Sequence, residues 1–110
     1  MDEKEFTLAA DAELARIEAA LERASDSDSG PAEFDFETKP GGIIEIEFEN
    51  GSKIIVNRHL AAREIWLAAK SGGFHFRPEQ GRWVGTRDGE ELMAALSRTV
   101  SEQAGTAVEL

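Results

Sequence analysis

The segment "ASDSDSGPAEFDFE", residues 24–37, carries five acidic side chains and no basic one. Carboxylates are hard oxygen donors that suit iron as well as calcium, magnesium and manganese. Clustered carboxylates also repel one another, so a bound cation or a basic protein surface relieves the repulsion. A solvated acidic face that only keeps the protein soluble is the alternative, and the residue types alone favour it because no ligand set with metal-site spacing is visible.

The charge of the chain is unevenly distributed. The formal net charge is −10; residues 1–37 hold 12 acidic and three basic residues, whereas the rest hold ten acidic and nine basic residues. Phosphate binding needs a concentrated cationic surface, so this distribution argues against nucleic acid as a partner. Cations and basic protein patches are better candidates.

Length and composition predict one domain spanning residues 1–110, with a hydrophobic fraction of 41% that suits a globular protein. No apolar run approaches membrane-spanning length, so we expect no membrane partner. The acidic start "MDEKEFTLAADAEL" lacks a secretory core and an Arg-rich transit character, which favours a cytoplasmic protein or a mature chain already trimmed. The chain has no cysteine, so any sulfur chemistry must belong to a partner.

An amphipathic helix is predicted over residues 3–24. Its charged flank carries Asp11, Glu18 and Glu22, which fall close together at about 100° per residue. The segment "SDSDSGP" then ends the helix, since these residue types favour turns. The apolar side chains recur at intervals of three or four, at Phe6, Ala10, Leu14, Ile17 and Leu21.

Two strands are predicted from the alternating segments "EFDFE" and "IIEIEFE", whose acidic residues face outward. The following "NG" at positions 50–51 predicts a two-residue type I′ turn into "SKIIVNR". That turn would pair Ile46 with Ile55 on the core face. Ile54 and Val56 would then lie on the outer face.

The segment "REIWLAA" predicts a further strand with one exposed aromatic residue. If Ile65 and Leu67 point into the core, Trp66 points outward. An exposed tryptophan beside Ile54 and Val56 is typical of an interface anchor.

The C-terminal third predicts two short strands, in "SGGFHFR" and "GRWVGTR", and Trp83 of the second strand is expected in the core. A second helix is predicted in "RDGEELMAALSRTVSEQAG". Asp88 is expected to cap this helix, with Glu91 in the reciprocal position. The order helix, five or six antiparallel strands, helix predicts an α+β two-layer sandwich with both helices packed on one face of the sheet. The buried stripe of the second helix is Met93, Leu96 and Val100.

Catalytic chemistry has little support in the residues, so we expect a protein that is not an enzyme. A thiol nucleophile, a Gly-rich phosphate loop and a Ser–His–Asp arrangement are all missing from the sequence. His59 and His75 are 16 positions apart without a His or Cys partner at ligand spacing, which is typical of surface or strand-edge imidazoles.

Four segments together resemble the bacterial frataxin (CyaY) family: "ENGSKIIVNR", "EIWLAAKSGGFHF", "GRWVGTRDGEEL" and "SEQAG". The resemblance covers essentially the whole chain. It implies a planar two-layer sandwich, weak binding of ferrous or ferric iron (Fe2+/Fe3+) on an acidic ridge, and a role in iron–sulfur cluster assembly. It also implies association with the cysteine desulfurase and the scaffold protein, and the chain is expected to be a monomer without iron.

The resemblance also implies site residues. The sheet-surface tryptophan of the family matches Trp66, and the asparagine of its "NR" step matches Asn57; with Ile54 and Val56 these give the expected partner surface. The expected iron ligands on the ridge are Glu18, Glu22, Asp26, Asp28, Glu33, Asp35 and Glu37.

Three functions follow as hypotheses. The first is an iron-binding accessory protein that docks on the desulfurase–scaffold complex, with regulation of cluster assembly or supply of iron as its output. The second is a ferroxidase or iron-storage protein that oxidises ferrous iron at the ridge. The third is an acidic interaction domain that binds its partner without iron.

Overall fold

A computed structural model of the chain describes residues 1–25 and 34–110. In this part of the chain a long helix precedes six strands, and a shorter helix follows them. The elements are α1 (Glu3–Ser25), β1 (Phe34–Lys39), β2 (Ile43–Phe48), β3 (Lys53–His59), β4 (Glu64–Ala69), β5 (Gly72–Glu79), β6 (Arg82–Gly85) and α2 (Leu92–Ala104).

The six strands form one antiparallel sheet in sequence order, β1 to β6. Alternate side chains of each strand point to opposite faces. Strands β2 and β4 show this most fully, since β2 buries Ile44, Ile46 and Phe48 and β4 buries Ile65 and Leu67. The buried side chains of both helices and the inward side chains of the strands form one hydrophobic core. The predicted α+β sandwich, with two helices on one face, is therefore confirmed.

Helix α1 forms where the apolar spacing predicts it, with its end one residue later than expected. Its five predicted apolar side chains are all buried, and Glu13 lies beside them at 5% exposure. Neither α1 nor α2 has the length and apolar character needed to cross a membrane.

The connection between β2 and β3 differs from the predicted two-residue turn. The N–H of Phe48 donates to the carbonyl of Ser52, and the N–H of Gly51 donates to the carbonyl of Phe48, both at 2.9 Å. The loop therefore holds three residues, 49–51, and its last residue has a φ of 87°, which glycine adopts without a steric penalty.

This extra loop residue shifts the β2–β3 register by one position. Ile46 lies opposite Ile54, and both are fully buried. Val56 is also fully buried, whereas Ile55 is 39% exposed. The prediction that Ile54 and Val56 lie on the outer face is wrong, because a one-residue slip moves every side chain of a strand to the opposite face.

The start of α2 also differs from the prediction. The helix begins at Leu92, and Glu91 takes the N-cap position without a side-chain capping bond. Asp88 is not the cap: its Oδ1 atom accepts a hydrogen bond at 3.0 Å from the N–H of Glu90, two residues on, in an Asx turn. Trp83 is buried as predicted, at 6% exposure.

Candidate cation and partner surface on the outer face of the sheet

The outer face of the sheet, which faces away from the helices, brings together two groups of polar and aromatic side chains. The acidic strand cluster lies on β1 and β2, and the aromatic stack lies on β3, β4 and β5. The acidic strand cluster is Asp35, Glu37, Glu45 and Glu47, and the aromatic stack is His59, Trp66 and His75.

Strand pairing places the carboxylates of the acidic strand cluster in two opposed pairs. Asp35 lies opposite Glu47, and Glu37 lies opposite Glu45. Like charges directly opposite each other across a strand pair are destabilising. A bound cation or a basic partner group would relieve this repulsion. The four carboxylates, with Phe36, line an open surface cavity of about 200 Å³.

Two lysines partly neutralise the acidic strand cluster. Lys39 Nζ lies 2.7 Å from one oxygen of Glu45, and Lys53 Nζ lies 3.0 Å from the other. The hydrogen bonds from Lys39 and Lys53 hold the pKa of Glu45 below its usual value, and the pKa of each lysine is raised by the bond to Glu45. The Glu37 and Glu47 side chains remain 66% and 59% exposed, so their carboxylates are more accessible than that of Glu45, whose side chain is 16% exposed.

The predicted ridge residues do not all fall within the described part of the chain. Glu18 and Glu22 are exposed on α1, and Asp35 and Glu37 are exposed on β1. Among residues 1–25 and 34–110, no group of three or more His, Cys, Asp or Glu side chains is arranged to hold a metal ion. Three predicted ligands, Asp26, Asp28 and Glu33, lie outside the described residues.

Sequence reasoning omitted Glu45 and Glu47 from the ridge, although it placed both on the outer face. The missing step was strand pairing, since antiparallel β1 and β2 put these two residues opposite Asp35 and Glu37. Asp11, which the helical spacing grouped with Glu18, instead forms an ion pair with Arg58 of β3.

The aromatic stack centres on Trp66, which points outward as predicted. His59 covers one face of the indole, with ring centroids 3.7 Å apart and planes 15° apart. His75 covers the other face at 4.3 Å and 8°. The indole N–H of Trp66 donates to Glu64 Oε1 at 2.7 Å, and His59 Nδ1 accepts from the N–H of Ala62 at 3.2 Å.

The predicted partner surface keeps two of its four residues. Asn57 lies opposite Trp66 on the outer face and is partly exposed. Ile54 and Val56 are inside the core, so they offer a partner no contact area. Ile55 is exposed instead, and it lies opposite Glu45, between the acidic strand cluster and the aromatic stack.

The chain matches the frataxin-like domain family over residues 1–106. It is 56% identical over 110 residues to the iron-sulfur cluster assembly protein CyaY of Dechloromonas aromatica, covering 100% of this chain and 99% of the relative. It is 52% identical to the protein of the same name from Cupriavidus pinatubonensis, covering 100% and 96%.

Two solved structures share the fold. Frataxin from Psychromonas ingrahamii has a TM-score of 0.85 and 29% identity, covering 99% of this chain and 97% of that one. Trimeric frataxin from Saccharomyces cerevisiae, complexed with ferrous iron, has a TM-score of 0.74 and 26% identity, covering 89% and 87%. The family match, the full-length relatives and the shared sandwich show that this chain belongs to the frataxin-like family.

Proposed function

We propose that this protein is an iron-binding accessory factor of iron–sulfur cluster assembly, which docks on the cysteine desulfurase and its scaffold protein. Its output would be regulation of assembly or supply of iron, without catalysis of its own, in the cytoplasm. The observation that carries the proposal is the acidic strand cluster, whose opposed carboxylates form an oxygen-rich, net negative surface. The CyaY relatives and the ferrous complex of the yeast frataxin support the same direction.

Iron binding at this surface should be weak and exchangeable. Glu37 and Glu47 are largely exposed, so water competes with their carboxylates for the ion. At Glu45 the ion would have to compete with the ammonium groups of Lys39 and Lys53. Oxygen donors of this kind accept iron without strong preference over other hard cations. We include the full predicted ridge as the binding region: Glu18, Glu22, Asp26, Asp28, Glu33, Asp35 and Glu37, now with Glu45 and Glu47.

Docking would use the same face. The acidic strand cluster offers a basic partner surface electrostatic complementarity, which directs encounter and orientation. Ile55 offers exposed apolar area beside it, and Trp66 is partly exposed between the rings of His59 and His75. Large aromatic side chains are frequent anchors of interfaces. Because the chain has no cysteine, the sulfur of the cluster would come from the partner.

The iron part of the proposal is tested by an anaerobic amide NMR titration with Fe2+, run beside Mg2+. The test variant neutralises four carboxylates: Asp35→Asn, Glu37→Gln, Glu45→Gln and Glu47→Gln. A matched control neutralises four exposed glutamates elsewhere: Glu3, Glu79, Glu102 and Glu109 to Gln. We expect Fe2+ broadening around the cluster in wild type and control and its loss in the test variant. Equal broadening in both variants would mean that Fe2+ responds to the overall negative charge of the protein and has no specific site at the acidic strand cluster.

The docking part is tested by titrating purified cysteine desulfurase against the same three proteins, with and without a chelator. We expect the test variant to bind more weakly than the control, because only the test variant lacks the acidic strand cluster. Both variants carry the same net charge, so a difference between them cannot be an effect of net charge. Binding that is unchanged by complete metal removal would favour an acidic interaction domain indifferent to iron. Oxygen consumption by the isolated protein with Fe2+ would instead favour the ferroxidase alternative.

A further inference from the structure

Glu64 and His75 lie beside each other on the outer face at an unusual separation. The Glu64 Oε1 atom is 3.5 Å from His75 Nδ1. A charge-assisted hydrogen bond between such atoms is usually about 2.7–2.9 Å long. Two donors each about 2.1 Å from a tetrahedral metal ion are about 3.4 Å apart. The observed spacing therefore fits two ligands of one ion better than it fits a hydrogen bond.

We propose that Glu64 and His75 form a two-donor site for a first-row transition dication such as Co2+, Zn2+ or Fe2+. The site lies at the aromatic stack on β4 and β5, whereas the acidic strand cluster lies on β1 and β2. It is separate from the proposed function, because it requires neither the acidic strand cluster nor a partner protein.

Contacts around the pair hold both donors in place. The indole N–H of Trp66 donates to the same Glu64 oxygen at 2.7 Å, and a carboxylate oxygen has a second lone pair for a metal. The His75 ring lies nearly parallel to the indole, at 4.3 Å and 8°. Metal ligands are commonly oriented by such outer contacts, which fix the carboxylate and the plane of the imidazole.

The donor set gives this site a different selectivity from the carboxylates of β1 and β2. Imidazole suits zinc, copper, iron and nickel, whereas magnesium prefers oxygen ligands and retains its water. The side chains of Glu64 and His75 are 23% and 47% exposed, so water can fill the remaining coordination positions. Because no third His, Cys, Asp or Glu completes the site among the described residues, the ion should exchange readily.

His59 provides a matched control within the same stack. It covers the opposite face of the Trp66 indole, at 3.7 Å, and its Nδ1 atom accepts a backbone hydrogen bond from Ala62. His59→Gln therefore removes an imidazole stacked on the same indole and leaves Glu64 and His75 intact. Glu64→Gln keeps an oxygen that can accept the Trp66 N–H and removes the negative charge.

The test is a Co2+ titration followed by the indole N–H signals of the two tryptophans, in excess Mg2+ that occupies the oxygen-only sites. We expect Co2+ to broaden the Trp66 signal in wild type and in His59→Gln, with much less effect on buried Trp83. The broadening should disappear in His75→Gln and weaken strongly in Glu64→Gln, while the backbone amide spectra confirm that each variant is folded.

Equal broadening of the Trp66 signal in His75→Gln and in wild type would overturn the proposal. So would Co2+ broadening confined to β1 and β2 with the Trp66 signal unchanged. Neither result would bear on desulfurase docking, which is measured separately on the variants of the acidic strand cluster. Conversely, loss of docking in those variants would leave the Co2+ response of Trp66 in place.

Discussion

Gln103 Oε1 accepts a hydrogen bond at 2.9 Å from the backbone N–H of Lys70, which ties α2 to the turn between β4 and β5. The side-chain nitrogen of Gln103 donates to Ser52 Oγ at 3.0 Å and to the carbonyl of Lys53 at 3.2 Å. One side chain at 6% exposure thus joins the second helix to the ends of two hairpins.

Replacing Gln103 with alanine should lower the free energy of unfolding by about 2 kcal/mol, since hydrogen bonds contribute about 0.5–1.5 kcal/mol each and part-buried backbone groups of Lys53 and Lys70 lose their partner. Urea unfolding measures this loss. Glu102→Ala, an exposed change on the same helix, should shift stability by no more than about 0.5 kcal/mol. Similar losses in the two variants would contradict the role assigned to Gln103.

The β2–β3 register is tested by two neighbouring isoleucines. Ile54→Ala should cost about 2–5 kcal/mol, because it removes methyl groups from a fully buried position. Ile55→Ala, at 39% exposure, should cost less than about 1 kcal/mol. Urea unfolding of both variants gives the comparison. A larger loss of stability in Ile55→Ala than in Ile54→Ala would contradict the observed register and support the two-residue turn.

Lys53 should restrain cation binding at the acidic strand cluster. Its ammonium group lies 3.0 Å from Glu45 and 3.5 Å from Glu47, so it occupies oxygens that a metal ion needs. Lys53→Met should therefore tighten Fe2+ binding several-fold in an anaerobic titration. Lys70→Met removes the same charge at the β4–β5 turn. If Lys70→Met tightened Fe2+ binding as much as Lys53→Met does, the effect would come from net charge alone, and the role assigned to Lys53 would be wrong.

Burial of Glu13 predicts a pH-dependent effect on stability. Desolvation raises the pKa of the Glu13 carboxyl, and the nearby Arg16 guanidinium only partly offsets it. The folded state therefore holds this proton more tightly than the unfolded state. The stability that Glu13 contributes is present at low pH and is lost as pH rises through its raised pKa.

Glu13→Gln removes this ionisation and keeps an oxygen for the Arg16 hydrogen bond. The stability of the variant relative to wild type should therefore increase as pH rises from the ordinary glutamate pKa through the raised pKa of Glu13, measured by urea unfolding. Glu18→Gln, an exposed change on the same helix, controls for loss of one carboxylate. A relative stability of Glu13→Gln that falls as pH rises would contradict the direction.

Much of the fold is readable from local pattern. Apolar residues at intervals of three or four predicted α1, and alternation predicted that Ile65 and Leu67 are buried while Trp66 points outward. These predictions are confirmed because each depends only on the periodicity of a single helix or strand, which determines which of its side chains face the core. The resemblance to frataxins was likewise carried by contiguous motifs, and the family match confirms it.

The remaining features depend on how elements meet. The sequence "NG" favours a two-residue turn, but the folded hairpin uses three loop residues, which brings Ile54 and Val56 inside; Asn50 then donates to the carbonyl of Gln103 on α2. The loop length is therefore decided by tertiary packing. The register that buries Ile54 and Val56 is more favourable than the register that the local turn preference would give.

The two groups on the outer face were likewise decided by strand pairing. Glu45 and Glu47 join the acidic side chains of β1 only because β2 pairs with that strand, and His75 reaches Glu64 only because β4 and β5 are adjacent. The sequence by itself determined which residues face outward on most strands. The tertiary structure decided which of them become neighbours, because cross-strand distance depends on register and not on position in the chain.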